Sequence, residues 1–302
     1  KSLTTKDINS IKKIDKNYTK LLSKYILDFI KEFSVTTIDF VSSHGHTALH
    51  DPSNALTYQI GNLHELSNYL GLKVICDFRA QDVKLGGQGA PLVPVGESYL
   101  FPEYNTLINL GGFANITKKI NDNLIAYDVC PLNIVFNQLS SLIELKYDDK
   151  GKIALSGKIN IELFNCLQSI EYYKLDPPKS LGVEWVSAII SPIINKFSEV
   201  PVEDLLHTFS NHFARQIVDN IKSTDKVLIT GGGAYNDYLI QKIRDLTKSI
   251  IIIPDSEIIE FKESLIFAFL GVLRNLNINN CYSSVTGAIK NHSSGNIIIP
   301  EI

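Results

Sequence analysis

The chain has 302 residues, with 29 Lys and Arg against 32 Asp and Glu, a formal net charge of -3. Its 44% hydrophobic and 20% charged content is that of a globular protein long enough for two domains. The near balance of charge excludes a nucleic-acid reader, and no apolar run reaches the roughly 18 residues of a membrane span.

Four cysteines, Cys76, Cys130, Cys166 and Cys281, stand far apart without a Cys-x-x-Cys pair or a zinc-spaced His. Each reads as a small buried apolar side chain, and no metal centre is expected. No signal-peptide pattern is visible, so a cytoplasmic location is expected. The first residue is Lys1 and Met is absent throughout, which points to a trimmed chain.

Residues 4–33 read as two amphipathic helices, the second carrying Leu21, Leu22, Tyr25, Ile26, Phe29 and Ile30 at helical spacing. Ile38 to Ser42 is a short buried strand running into a turn, Ser43-His44-Gly45-His46-Thr47. Tyr58 to Gly61 ends a strand before a helix at Leu63 to Leu70, and Lys73 to Asp77 is a further strand. Gln81 to Pro94, dense in Gly and Pro, reads as loop throughout.

After Tyr104, strands at Thr106 to Leu110, Asn115 to Lys119 and Leu124 to Asp128, turned by Gly111-Gly112 and Asn121-Asp122-Asn123, predict an antiparallel meander. Helices are predicted over Pro131 to Leu145, Asn160 to Ser169, Val186 to Phe197 and Pro201 to Ile221. Lys226 to Thr230 is a buried strand, followed by Gly231-Gly232-Gly233 and a helix from Asn236 to Leu246. Ile250 to Pro254 is a strand, Phe261 to Leu276 an apolar helix opened by Lys262-Glu263, and the remainder a polar loop. The pattern is α/β. The boundaries it suggests are a first domain over 1–104, a second over 105–288, and a tail, 289–302, returning to the first.

Two strands end in glycine. Gly231-Gly232-Gly233 leads into a helix whose cap is Asn236 or Asp237, an arrangement that suits phosphate or a nucleotide edge and equally a tight structural turn. Gly111-Gly112 offers bare amides to an anion, or serves a hairpin that needs positive φ. Asp128, at the end of the meander, either orients a nucleophilic oxygen or caps the helix near Pro131. Asp77, Arg79 and Asp82 form either a surface ion pair or a polar wall for a hydroxylated ligand. His44, His46 and His50 lack the partners of a metal set. His207 and His212 read as solvated or locally paired, and Lys179-Ser180-Leu181-Gly182 as a polar turn.

Taken in order, several segments resemble one family. They are Ser43-His44-Gly45-His46-Thr47, Tyr58-Gln59-Ile60-Gly61, Asp77-Phe78-Arg79, Asp82 through Pro94 with Gly86-Gly87-Gln88-Gly89-Ala90-Pro91, and Asn109-Leu110-Gly111-Gly112-Phe113-Ala114-Asn115. Lys179 to Gly182, Gly231 to Gly233, Lys262-Glu263-Ser264 and Ser284-Val285-Thr286-Gly287-Ala288 follow. The order is similar to that of the anhydro-N-acetylmuramic acid kinases.

The resemblance implies an actin-like ATPase fold of two ribonuclease-H-like domains closing on ATP and sugar. It implies ATP- and Mg2+-dependent opening and phosphorylation of 1,6-anhydro-N-acetylmuramic acid to N-acetylmuramic acid 6-phosphate, in the recycling of cell-wall sugars. By that resemblance Asp128 is the base that activates water. Gly111, Gly112 and Asn115 hold phosphate, and Gly231, Gly232 and Gly233 hold adenosine. His44, Arg79 and Glu263 approach the sugar. A small-molecule substrate and a homodimer are expected, with neither nucleic acid nor membrane as partner.

Three departures stand out. Nothing matches the family's N-terminal phosphate-binding hairpin; the turn after Asp128 is Val129-Cys130-Pro131-Leu132-Asn133, without Gly; and the His-bearing turn reads Ser43-His44-Gly45-His46-Thr47. They keep open a non-catalytic nucleotide- or sugar-binding module, or a kinase for another sugar.

Overall fold

The computed structural model describes residue 3, residues 6–120 and residues 123–301. The chain divides into two compact units, Lys1–Leu100 with Glu263–Ile302, and Phe101–Lys262.

The first helix, α1 (Ile8–Glu32), is continuous where the sequence suggests two. No Gly or Pro interrupts it, and the Asp7 carboxylate caps its start by accepting from the backbone N–H groups of Asn9 and Ser10. Its buried stripe is Ile11, Asp15, Thr19 and Ser23, while Leu21, Tyr25 and Phe29 of the predicted apolar face are exposed. Asp15 explains the choice: its carboxylate accepts from the Tyr58 hydroxyl at 2.7 Å and the Gly61 N–H at 2.7 Å.

β1 (Val41–Ser43) is followed by a hairpin of β2 (His46–Asp51) and β3 (Leu56–Ile60), so of the predicted His-bearing turn only His44 and Gly45 lie outside strands. Gly45, at φ +71, makes the reversal between β1 and β2. Next come α2 (Glu65–Leu70), β4 (Val74–Cys76), α3 (Ala80–Lys84) and α4 (Val93–Leu100). The predicted loop 81–94 is therefore shorter. Residues before the first glycine are good helix formers, and the irregular part is 85–92.

In the second unit β5 (Thr106–Leu110), β6 (Phe113–Ile120) and β7 (Asn123–Pro131) form the expected meander. Asn121 and Asp122 of its predicted turn lie outside the described residues. Helices α5 (Asn133–Ser141), α6 (Lys152–Ser156) and α7 (Ile161–Gln168) follow. A helical run then passes from α8 (Val183–Trp185) through one π-type stretch, Val186–Ile190, into α9 (Ser191–Lys196).

α10 (Val202–Asp219), β8 (Lys226–Thr230), α11 (Asp237–Leu246) and β9 (Ile250–Ile252) complete the unit. The sheet order is β7-β6-β5-β8-β9, with β5, β8 and β9 parallel. An antiparallel meander extended by parallel strands is the ribonuclease-H-like sheet of the actin-like ATPase fold. One continuous core lies with it, including Ile108, Ile116, Phe136, Phe209, Phe213 and Ile229. His212 is buried in this unit and neither ring nitrogen makes a hydrogen bond, contrary to its reading as solvated or paired.

α12 (Ser256–Asn275) starts well before Lys262-Glu263, which lie inside it rather than at its opening. The chain rejoins the first unit at Glu263, earlier than residue 289, because the second half of α12 packs there. The Ser42 hydroxyl donates to the Phe267 carbonyl at 2.6 Å, and Gly96 admits Ile266. The predicted terminal loop contains α13 (Ser283–Thr286) and β10 (Asn296–Ile298). β10 pairs antiparallel with β4, which pairs in parallel with β1 on its other side.

Candidate functional site

In the second unit, parallel pairing places Asn109 opposite Thr230, so both glycine-bearing strand ends emerge at the same sheet edge. Carboxyl ends of parallel strands are where α/β sheets hold ligands. Gly231 has φ +81, and a Cβ there would lie 3.0 Å from the Leu110 nitrogen. A Cβ on Gly233 would stand 2.7 Å from that of Leu110. The triple-glycine turn is thus folded against the last residue of β5. Gly112 and Gly232 differ, since a Cβ on either would meet nothing within 4 Å.

The start of α5 is tied to the Gly111-Gly112 turn. The Leu132 N–H donates to the Gly112 carbonyl at 2.8 Å, and the Asn133 side-chain amide donates to the carbonyls of Leu110 and Gly111 at 3.0 and 2.8 Å. Asn236 caps α11 by accepting from the Leu239 N–H.

Between these elements lies a cavity of about 490 Å³, lined by Asn133, Phe136 and Asn137, by Tyr147 to Lys150, and by Gly232, Tyr235 and Asn236. Amide side chains, two tyrosines and an open glycine suit a planar, hydrogen-bonding base and its ribose. The sequence reading missed Tyr147 to Lys150. Its signal was the Asp148-Asp149-Lys150-Gly151 turn, in which the Asp148 carboxylate accepts from the N–H groups of Ile153 and Ala154 at 2.9 Å.

Asp128 does not cap α5, whose N-cap is Leu132 without a side-chain bond. Asp128 faces Asn115 across β6–β7, next to a register shift between Ala114 and Asn115. Such a bulge re-aims the side chains beside it. Oδ2 of Asp128 accepts from the Leu181 N–H at 2.8 Å, its backbone N–H donates to the Lys179 carbonyl, and its own carbonyl accepts from the Tyr172 hydroxyl at 2.7 Å. The segment 179–182, read as a polar turn, is therefore the clamp on Asp128. Burial raises the Asp128 carboxyl above its ordinary value, against the lowering effect of the Leu181 N–H. A raised carboxyl is a better proton acceptor.

In the first unit Arg79 is joined to His44, and the exposed Glu263 acts on Arg79 through its charge. Arg79 Nε and Nη2 lie 3.1 and 2.9 Å from His44 Nε2, and Nη1 donates to the Gly89 carbonyl at 2.7 Å. The His44 Nδ1–H donates to the Gly45 carbonyl at 3.0 Å, which leaves Nε2 as the acceptor for the guanidinium. Burial, then Arg79, pushes the His44 imidazole down to about 4, so it is neutral near pH 7. Burial also lowers Arg79, and the Glu263 charge works in the opposite direction.

Of the two readings of Asp77, Arg79 and Asp82, the surface ion pair is not what the structure shows. Asp77 accepts from the Asn296 amide at 3.0 Å and Asp82 is fully buried elsewhere. Asp77 has φ +57, a conformation uncommon outside glycine and frequent at functional sites. His46 is exposed.

The sequence profile of the family described as anhydro-N-acetylmuramic acid kinase matches residues 2–300. An anhydro-N-acetylmuramic acid kinase of Clostridioides difficile (strain 630) is 36% identical over 292 residues, 88% of this chain and 76% of that protein. The one from Bacillus cereus (strain Q1) is 33% identical over 296 residues, 89% of this chain and 78% of that protein. Among solved structures, the activator of 2-hydroxyisocaproyl-CoA dehydratase from Clostridium difficile with bound ADPNP superposes with a TM-score of 0.39 at 20% identity. It covers 60% of this chain and 64% of that one, a likeness too slight to carry any argument.

Proposed function

The chain belongs to the anhydro-N-acetylmuramic acid kinase family, and from that premise we propose that it opens and phosphorylates 1,6-anhydro-N-acetylmuramic acid. As a member of this family it is a sugar kinase, a phosphotransferase that uses ATP in the recycling of cell-wall sugars. In the proposed reaction, water adds to the anomeric carbon as the bond from that carbon to O6 breaks. O6 attacks the γ-phosphorus, ADP leaves, and N-acetylmuramic acid 6-phosphate results.

Asp128 is the proposed base that takes the proton of the attacking water. The observation carrying this reading is its clamped carboxylate: one oxygen is held by the Leu181 N–H, and burial raises its basicity. Gly111, Gly112 and Asn115 are assigned to the phosphates, Gly231, Gly232 and Gly233 to the adenosine. The open faces of Gly112 and Gly232 support those assignments. His44, Arg79 and Glu263 are assigned to the sugar, with neutral His44 orienting the guanidinium toward hydroxyl or carboxylate groups.

Mg2+ is proposed to accompany the ATP phosphates. Such an ion keeps several waters and requires only one or two protein carboxylates. When bound it would neutralise charge on the transferred phosphoryl group. A homodimer is also proposed, supported by the exposed Leu21, Tyr25 and Phe29 of α1, which share one helical face. Sedimentation measures it. A cytoplasmic location is proposed from the use of ATP; no helix among the described residues is long and apolar enough to cross a membrane.

ADP release is the decisive assay, run with anhydro-N-acetylmuramic acid, ATP and Mg2+. Sugar-dependent release that stops on chelation supports the reading. Release indifferent to the sugar would remove it.

A further inference from the structure

Deep in the first unit, three chain segments bring one oxygen, one sulfur and one nitrogen to a single point. Among the described residues Asp82, Cys281 and His292 are the one group of three such side chains whose ligand atoms all lie within 4.8 Å of one another. Asp82 is wholly buried, and Cys281 and His292 nearly so. Oδ1 of Asp82 lies 3.0 Å from the Cys281 sulfur, 2.7 Å from the Thr286 hydroxyl and 3.5 Å from His292 Nε2. Its other oxygen accepts from the Gly89 N–H at 2.7 Å.

The backbone prepares this point. Cys281 and His292 face each other across an isolated antiparallel bridge, which sets both side chains on one side. Asn280 locks the bridge by accepting from the Ser294 N–H at 2.6 Å and donating to the carbonyls of Leu270 and Ser294.

The histidine supplies an independent sign. Its Nδ1–H donates to the Lys290 carbonyl at 3.1 Å, which leaves the Nε2 lone pair directed at the carboxylate. Nε2 makes no hydrogen bond. A bare lone pair opposed to a carboxylate oxygen at 3.5 Å in a dry interior is repulsive, and either a proton on Nε2 or a metal cation between the two relieves it.

We propose that Asp82, Cys281 and His292 form a structural zinc site that fastens the glycine-rich loop 85–92 to the segment 280–294. The mixed set of thiolate, imidazole and carboxylate is one zinc accepts, and the Nδ1–carbonyl bond is the outer support that zinc-binding histidines characteristically make. The fourth position falls to water or to the Thr286 hydroxyl. Nearly 200 residues separate Asp82 from Cys281, which is why no ligand spacing appears in the sequence.

The full chain, purified without metal-affinity resin, should retain about one zinc per molecule by elemental mass spectrometry. Metal-free protein titrated with Co2+ alone should develop a thiolate charge-transfer band in the near ultraviolet. The band should vanish in Cys281→Ser and persist in Cys130→Ser and Cys166→Ser. His292→Gln should weaken cobalt binding by about 10–100-fold or more. No charge-transfer band in the unsubstituted chain at excess Co2+, or a band that survives Cys281→Ser, would overturn the proposal. Both readings are taken without sugar or ATP, so they stand apart from the kinase assay.

Discussion

The two units build their binding groups by opposite means. The second sets a cavity and bare glycine turns on one continuous sheet and core, so that backbone geometry does the positioning. Among the described residues the first has two small sheets, of three strands and two, and buries Phe78, Leu92, Val95, Ile266 and Phe267 besides the apolar groups around Leu66 and Ile11. Its polar groups are held by side-chain bonds such as Arg79 to His44, Asp15 to Gly61 and Asp82 to Gly89. A backbone site fails when a side chain is added. A side-chain site fails when one is shortened or loses its fork.

The largest expected effect is at the residue that belongs to neither style alone. Asp128→Asn keeps the strand and the Leu181 bond while removing the proton acceptor, and should lower kcat by about 10²–10⁴-fold with ATP affinity retained. Isothermal titration beside steady-state kinetics separates the two. Retained turnover would remove Asp128 as base.

Adjacent glycines give a sharper contrast. Gly233→Ala drives a methyl into Leu110 and should cost about 1–3 kcal/mol of stability, read by urea denaturation. Gly232→Ala has open space, so it should fold normally and raise KM for ATP about tenfold. Equal stability losses in the two would break the comparison.

In the first unit Arg79→Lys removes the planar fork that spans His44 and Gly89, and should raise KM for the sugar about tenfold while leaving that for ATP unchanged. The smallest effect concerns acid. Burial pushes His212 down to about 3, so between about pH 3 and the ordinary 6.5 the unfolded chain binds the extra proton. Stability therefore falls as pH drops through that window. His212→Phe should flatten the fall in a pH series of melting temperatures.

The meander and β8 were legible as short apolar runs bounded by Gly or polar turns, and α10 as a long periodic run opened by Pro201. The undivided α1 was not, since its buried face is chosen by a polar residue, Asp15, which periodicity counts as outward. β2 hid among histidines with little strand preference, and β10 is a three-residue strand recognisable only from its partner β4. Among the candidate site residues, the glycines stand at the ends of β5 and β8, whereas Asp128 read equally as a helix cap and lies inside β7. Leu181 was not legible, because it contributes a backbone N–H, and no residue type marks a useful amide. His212 misled because helical spacing does not reveal the aromatic cage of Phe164, Tyr173 and Phe213 around it.

The pairing of β10 with β4 also fixes an order of events during synthesis. The residues 101–262 are contiguous, so the second unit leaves the ribosome whole and can fold as it emerges. The first unit cannot. Its three-stranded sheet waits for residues 296–298, made after the entire second unit, and until then β4 keeps an unpaired edge. The segment made before the second unit is thus completed only after it.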